Sequence, residues 1–215
     1  MLSFSKRLQK IILLFVTFFK KFGIPFDNQF EMQELSDNVL MLKVKSGDID
    51  KLGLLYERHK KRLFGFFFNM NCDAMTSEDL VQNVFIRMLK YKHTYTGEGS
   101  FLAWMFSTAR NVNNDHYQKN KRNQNQFDIS TVEYKLDDGN IADGKMTKKD
   151  ALEELDRAMM KLAVDKREIL VLSKLKEMKF SEIGQVLGCS EGTAKVKAHR
   201  ALKELKVVFK QMQKQ

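Results

Sequence analysis

The sequence predicts an all-α protein: two small helical domains joined by a flexible linker, the second a four-helix unit with a helix-turn-helix. Three observations carry that expectation. Apolar residues recur at three- and four-residue spacing through most of the chain from residue 36 onward. One proline, Pro25, serves 215 residues, so the turns fall to glycine. Between residues 118 and 149 the periodicity gives way to Asn, Asp, Lys and Gln around Asp137-Asp138-Gly139, which reads as a linker between two periodic stretches.

Each element has its own signal. Val39, Leu40, Leu42 and Val44 mark a first helix ending near Ser46-Gly47. A second runs from Ile49 to Phe68, with Leu52, Leu55, Tyr56, His59 and Leu63 at helical spacing. Between Leu55 and Leu63, His59 is expected to pack in or beside the core rather than to bind metal. The third helix starts with Ser77 as its N-cap and turns Leu80, Val81, Val84, Phe85, Met88 and Leu89 inward, leaving Asp79, Gln82, Asn83 and Arg87 outside. The loop Thr96-Gly97-Glu98-Gly99-Ser100 leads into a fourth helix, Phe101 to about Gln118, which holds the only tryptophan, Trp104. Beyond the linker, Leu152, Leu155, Met159 and Leu162 open the second unit, and Asp165-Lys166-Arg167-Glu168 starts a further helix holding Ile169, Leu170, Leu172 and Leu175.

The most specific local pattern comes last. Phe180, Ile183 and Leu187 give a short helix one apolar face, and Gly188 ends it where a left-handed residue is needed. Ser190 then caps a long helix, with Glu191 in its first turn, where a negative charge is favoured. From Lys195 to Lys214 that helix carries seven cations against Glu191 and Glu204. A basic helix behind such a turn fits the major groove, with its cations on phosphates, so DNA is the leading partner.

Composition narrows the classes. A formal net charge of +10 suits a polyanionic partner or an anionic membrane surface without choosing between them. The two cysteines, Cys72 and Cys189, stand far apart and the four histidines form no ligand-spaced cluster, so neither a metal site nor a disulfide framework is expected, and the natural setting is a reducing cytoplasm. No Ser-His-Asp arrangement or phosphate loop stands out, so the expectation is a protein without catalytic residues or cofactors.

Residues 1–31 stand apart: Lys6, Arg7 and Lys10 precede the apolar run Ile11 to Phe19, and Lys20 and Lys21 follow it. The run is too short to span a bilayer and lacks a cleavage pattern. Three readings stand open: an amphipathic helix making weak membrane contact through residues 1–24, an extension preceding a true start at Met32, or a tail that packs on a partner.

With both halves placed, the chain resembles the extracytoplasmic-function sigma factors of bacterial RNA polymerase over about residues 36–212. Val44-Lys45-Ser46-Gly47-Asp48 with Leu54-Leu55-Tyr56-Glu57-Arg58 resembles the family's opening helices, and Asp79-Leu80-Val81-Gln82-Asn83-Val84-Phe85 its polymerase-clamp helix. Gly97 to Met105 with Ala109-Arg110-Asn111 resembles the segment that reads and opens the −10 element. Arg167-Glu168, Phe180 to Gly184, Gly192 to Lys195 and His199-Arg200-Ala201 resemble the −35-reading domain. Departures are Asn83, where the family usually has an acid, and Ala194 and Val196, where Val and Ser are commoner.

The resemblance implies an alternative sigma factor that binds core RNA polymerase and promoter DNA, with residues 32–117 as its domain 2 and 150–215 as its domain 4. Members are often held by an anti-sigma protein, which makes one an implied partner. The implied polymerase contacts are Asp79, Gln82, Asn83 and Phe85. Those on the −10 element are Gly97, Glu98, Ser100, Trp104, Arg110 and Asn111. Asn111 suits a base edge through its amide, whereas Trp104 is open between stacking on a base and plain core. Ser190, Thr193, Lys195, Lys197, Arg200 and Lys203 are implied on the −35 element. Ile183, Leu187 and Leu202 are expected in the core, and Glu182 either on the helix-turn-helix surface or in solvent. The competing function is a stand-alone helix-turn-helix regulator, which would leave the clamp-like helix and the glycine loop without a role.

Overall fold

The computed structural model describes residues 35–71, 73–126, 148–174 and 178–213, and the N-terminal extension and most of the expected linker lie outside them. The described residues hold eight α-helices and one 3₁₀ turn, and no strand. Helix α1 (Asp37–Ser46) is capped by Ser36, whose hydroxyl accepts the Val39 N–H, and ends at Gly47 with φ of 117°. Helix α2 spans Asp50–Asn71 and α3 Ala74–Lys90. The cap of α3 is Asp73, whose carboxylate accepts the Thr76 N–H at 2.9 Å, so the helix begins before Ser77. Ser77 is buried instead, its hydroxyl donating to the Asp73 carbonyl at 2.5 Å. Helix α4 (Phe101–Gln126) continues beyond the expected end near Gln118, because no glycine or proline interrupts the polar stretch that follows.

These four helices form the first unit, with α2 packed on α1 and α3, and α3 on α4. Phe66 and Phe67 are fully buried, and Phe66 meets Phe106 of α4 edge-on at 5.6 Å. Burial of each large apolar side chain contributes about 1.5–3 kcal/mol, which makes this aromatic layer the main source of the unit's stability. Next to it His59 is buried against Phe101, with ring centroids 5.3 Å apart, in keeping with its spacing in the sequence.

The second unit contains α5 (Lys148–Met160), α6 (Val164–Lys174), α7 (Phe180–Leu187) and α8 (Glu191–Met212). Gly188 takes φ of 64° at the end of α7, and Ser190 accepts the Thr193 N–H at the start of α8. A Cβ on Gly184 would come within 2.6 Å of the Cys189 carbonyl oxygen, so that position brings α7 tight against the turn. The buried seam of α8 is Ala194, Ala198, Ala201 and Leu205 at helical spacing. Short alanines there let α8 approach both α6 and α7 closely.

The two units are in contact: α4 packs on α7, and α2 on α6. Arg167 of α6 is 7% exposed. Its guanidinium donates to the carbonyls of Met159, Met160 and Leu162 around the end of α5, and to that of Met70 near the end of α2 at 2.7 Å. A helix C-terminus carries unpaired carbonyls and a negative dipole end, so one buried cation satisfies two such ends at once. Among the described residues, no helix is long and apolar enough to cross a membrane.

A second cluster anchors α1. Asp37 accepts hydrogen bonds from Arg58 and His59, each at 2.8 Å. Burial acts to raise the Asp37 carboxyl, but the hydrogen bonds from His59 and Arg58 outweigh it and hold the group below its ordinary value of 3.8. A carboxylate with a lowered native pKa stabilises the fold above the unfolded value, and that stability is lost as pH falls through the native one. Asp37→Asn should therefore cost about 1–3 kcal/mol in denaturant unfolding at neutral pH. The deficit should shrink as the pH falls through the acidic carboxylate range.

Candidate nucleic-acid interface

Three surfaces carry the residues singled out from the sequence. On α3, Asp79, Gln82 and Asn83 are exposed on the face away from the α2 and α4 contacts. Phe85 does not join them. It is 6% exposed and meets Tyr56 of α2 edge-on at 5.0 Å, so its place is the core. The helical period points it inward, and packing decides the matter. Met75, four residues before Asp79, is 76% exposed on the same face. Its exposure cannot be read from the sequence, because a methionine at helical spacing usually marks core.

The second surface is the glycine loop and the start of α4. Gly97 and Gly99 adopt φ of 81° and 80°, where a Cβ is strained, and a Cβ on Gly97 would also come within 3.0 Å of Leu42. The loop is pinned by Asn38 of α1, which no sequence pattern singles out. Its amide donates to the Gly99 carbonyl at 3.1 Å, while its carbonyl oxygen accepts the Tyr95 hydroxyl at 2.6 Å and the Phe101 N–H at 3.1 Å. Burial, with the Asp37 charge adding to it, pushes the Tyr95 phenol up to about 12, so it stays a hydrogen-bond donor. Lys45 secures the same corner by donating to the Tyr95 carbonyl at 2.6 Å.

Trp104 sits half-buried, edge-on to Tyr95 at 4.9 Å, so one part of the ring is core and the rest reaches the surface. Asn111 and Glu98 are exposed. Ser100 and Arg110 are engaged by the second unit. The Ser100 hydroxyl donates to the Glu182 carboxylate, and the Arg110 Nε lies 3.0 and 3.1 Å from the two Glu168 oxygens. Glu182 therefore faces the first unit. Its other oxygen accepts the Lys179 N–H at 2.7 Å and so caps α7. Burial raises the Glu168 carboxyl above its ordinary value, and the Arg110 charge offsets only part of that.

The third surface is α8. Thr193, Lys197, Arg200 and Lys203 are exposed, and Ser190 is held as the cap. Lys195 pairs with Glu191 one turn earlier at 2.6 Å, an exposed contact of little energetic weight. Ala194 is fully buried, so its departure from the family pattern concerns packing. Val196 is 49% exposed, one turn after Thr193 and one before Arg200. Ile183 is buried as expected and Leu187 half-buried, but Leu202 is 44% exposed, because the close alanine seam rotates it off the core.

Comparison with known proteins gives two family matches, Sigma-70 region 2 over residues 55–123 and Sigma-70 region 4 over residues 152–205. The chain is 31% identical over 157 residues to the ECF RNA polymerase sigma factor SigX of Bacillus subtilis, covering 71% of this chain and 80% of that one. To the RNA polymerase sigma factor CarQ of Myxococcus xanthus it is 27% identical, over 80% and 97% of the two chains. Among solved structures, CnrH in complex with the cytosolic domain of CnrY aligns with a TM-score of 0.61 and 21% identity, over 81% of this chain and 97% of that one. RpoE in complex with the anti-sigma factor NepR from Bartonella quintana aligns at 0.58 and 21% identity, over 72% and 94%. These likenesses show a shared all-helical fold.

If Asn38 pins the loop, Asn38→Ala should cost about 1–3 kcal/mol by leaving the buried Tyr95 hydroxyl without its partner. Amide exchange over residues 96–101 should quicken while the rest of α4 keeps its protection, and an unchanged loop would count against this role.

Proposed function

This chain belongs to the ECF RNA polymerase sigma factors, and we propose that it does their work through the three surfaces described above. It is an alternative sigma factor, which binds core RNA polymerase and directs promoter-specific transcription initiation. The observation that carries this reading is the order of surfaces in one chain: an exposed polar helix face, a pinned glycine loop opening a helix, then a capped basic helix. A stand-alone regulator would use only the last of them.

The division of labour follows from chemistry. Asp79, Gln82 and Asn83, with Met75 as an apolar neighbour, form the polymerase-docking face of residues 32–117. Gly97, Glu98, Ser100, Arg110 and Asn111 surround the position for an extruded −10 base, with the exposed part of Trp104 available for stacking at about 1–3 kcal/mol. Capture of a flipped base offsets part of an unstacking cost of a few kcal/mol. In residues 150–215 the first turns of α8 meet base edges through Thr193 and Lys195, while Lys197, Arg200 and Lys203 neutralise phosphate. Val196 offers an apolar contact of the kind a thymine methyl makes in the major groove. The bond-making chemistry is the polymerase's, and the setting is the cytoplasm where that enzyme acts. An anti-sigma protein is a fitting partner, given that solved neighbours of this fold are complexed with one or with a cytosolic domain. Residues 1–24 add a weak membrane contact. Equal flotation on anionic liposomes by the full chain and by a form beginning at Met32 would refute that last point.

Run-off transcription tests the whole reading. The purified chain with its host's core polymerase should yield specific transcripts, and none would refute it. Asp79→Arg/Gln82→Ala should weaken core-polymerase capture about tenfold or more, as loss of interface anchors does. Lys203→Ala should weaken all DNA alike and lower the salt slope by about one. Replacing the thymines of the −35 element one at a time by deoxyuridine should cost roughly fourfold at the base that Val196 meets, the worth of one buried methyl-sized group. Val196→Ser should erase that sensitivity, and a sensitivity that survives the substitution would exclude the contact.

A further inference from the structure

A cleft lies apart from the α3 face and the glycine loop, where α4, α6 and α8 meet. Its volume is about 160 Å³, and its polar lining is Arg110, Asp165, Lys166, Glu168, Lys197 and Arg200. The rest of the wall is apolar. Four cations thus face two acids, and they are not all neutralised. Arg110 is held by Glu168 at 3.0 Å, and Lys166 reaches Glu204 outside the cleft at 2.5 Å. Among the described residues, Lys197 and Arg200 have no hydrogen-bond or ion-pair partner. They stand three residues apart on α8, a spacing that puts both side chains on one face of a helix. Apolar walls focus the field of such charges, so the cleft favours an anion.

We propose that this cleft binds a small polyvalent anion, inorganic phosphate or pyrophosphate, through Lys166, Lys197 and Arg200. Size sets the ligand class. Sites for drug-sized ligands enclose roughly 300–1,000 Å³, so this cleft admits a phosphate group and little else. The donor chemistry agrees. The Arg200 guanidinium offers paired N–H donors to phosphate oxygens, and the two ammonium groups add point charges. Glu168 is turned to Arg110, which leaves Asp165 as the acid that opposes the anion. Lys197 and Arg200 are also the residues assigned above to −35 phosphate, so a bound anion takes groups that DNA needs. The anion and the −35 duplex therefore exclude one another. That consequence rests on the reading of α8 as the −35 helix, whereas the binding itself does not.

Titration of the full chain at constant ionic strength tests the site, with pyrophosphate and phosphate in separate runs. Pyrophosphate should bind the tighter of the two, since its second group reaches further cations. Lys166→Gln should weaken pyrophosphate binding roughly tenfold, the worth of one charged hydrogen bond. Lys166→Arg should restore it, and Asp165→Asn should tighten it. Lys206→Gln removes an exposed cation of α8 outside the cleft and should leave binding unchanged. Equal losses from Lys166→Gln and Lys206→Gln would reduce the effect to diffuse charge on α8 and overturn the proposal, as would no binding of either anion. The competition is read by the fluorescence anisotropy of a labelled −35 duplex. Pyrophosphate should displace the duplex from the unaltered chain at lower concentration than from Lys166→Gln, while both forms bind the duplex alike without it. Anion binding that depends on Lys166 but displaces no duplex would support the cleft and refute only the placing of Lys197 and Arg200 on −35 phosphate.

Discussion

The arrangement of this protein depends on a single buried cation. Arg167 cannot be left unpaired at 7% exposure, and its partners are backbone carbonyls at two helix ends. A guanidinium has five donors in a fixed plane, which is why it can serve three carbonyls of its own unit and one of the other. A lysine could not span that set. That one side chain ties the end of α5 to α6 and α6 to the end of α2. Glu168, next in sequence, leaves the helix on a different side, and its burial is tolerable only because Arg110 of α4 comes with it.

From that joint the surfaces follow. With α6 held to the first unit, α7 lies along α4, and the two glutamates fall on Ser100 and Arg110. The alanine seam of α8 faces inward against α6 and α7, which turns Thr193, Val196, Lys197 and Arg200 to solvent. Much of the +10 net charge thus lies in an element free to meet phosphate. The exposed polar face of α3 is left uncovered because, among the described residues, α3 packs mainly on α2 and α4.

How much of this is legible in the sequence depends on the distance between partners along the chain. The helix-turn-helix can be read almost in full, since Gly188 and Ser190 act on their own neighbours and the helical period of α8 is local. Among the described residues, the number of helices and most of their faces are legible for the same reason. Asn38, Arg167, Glu168 and Glu182 are not, because their partners lie 61, 97, 58 and 82 residues away and no local pattern announces such pairings. Two positions show a different limit. Resemblance implies a polymerase contact for Phe85 although its period points inward, and Leu202 reads as core although the alanines around it already supply the seam. At both positions packing decides: Phe85 is buried and Leu202 is exposed.

The central claim is that Arg167 joins the two units in the free chain, and hydrogen–deuterium exchange of Arg167→Lys tests it most directly. Lysine keeps the charge but loses the fork. The account predicts faster exchange at the end of α2, around Met70, and along the α4–α7 contact, with the interior of α3 unchanged and helical content retained. Faster exchange confined to α5 and α6 would contradict it, since Arg167 would then be a cap within its own unit and the units would be held together without it.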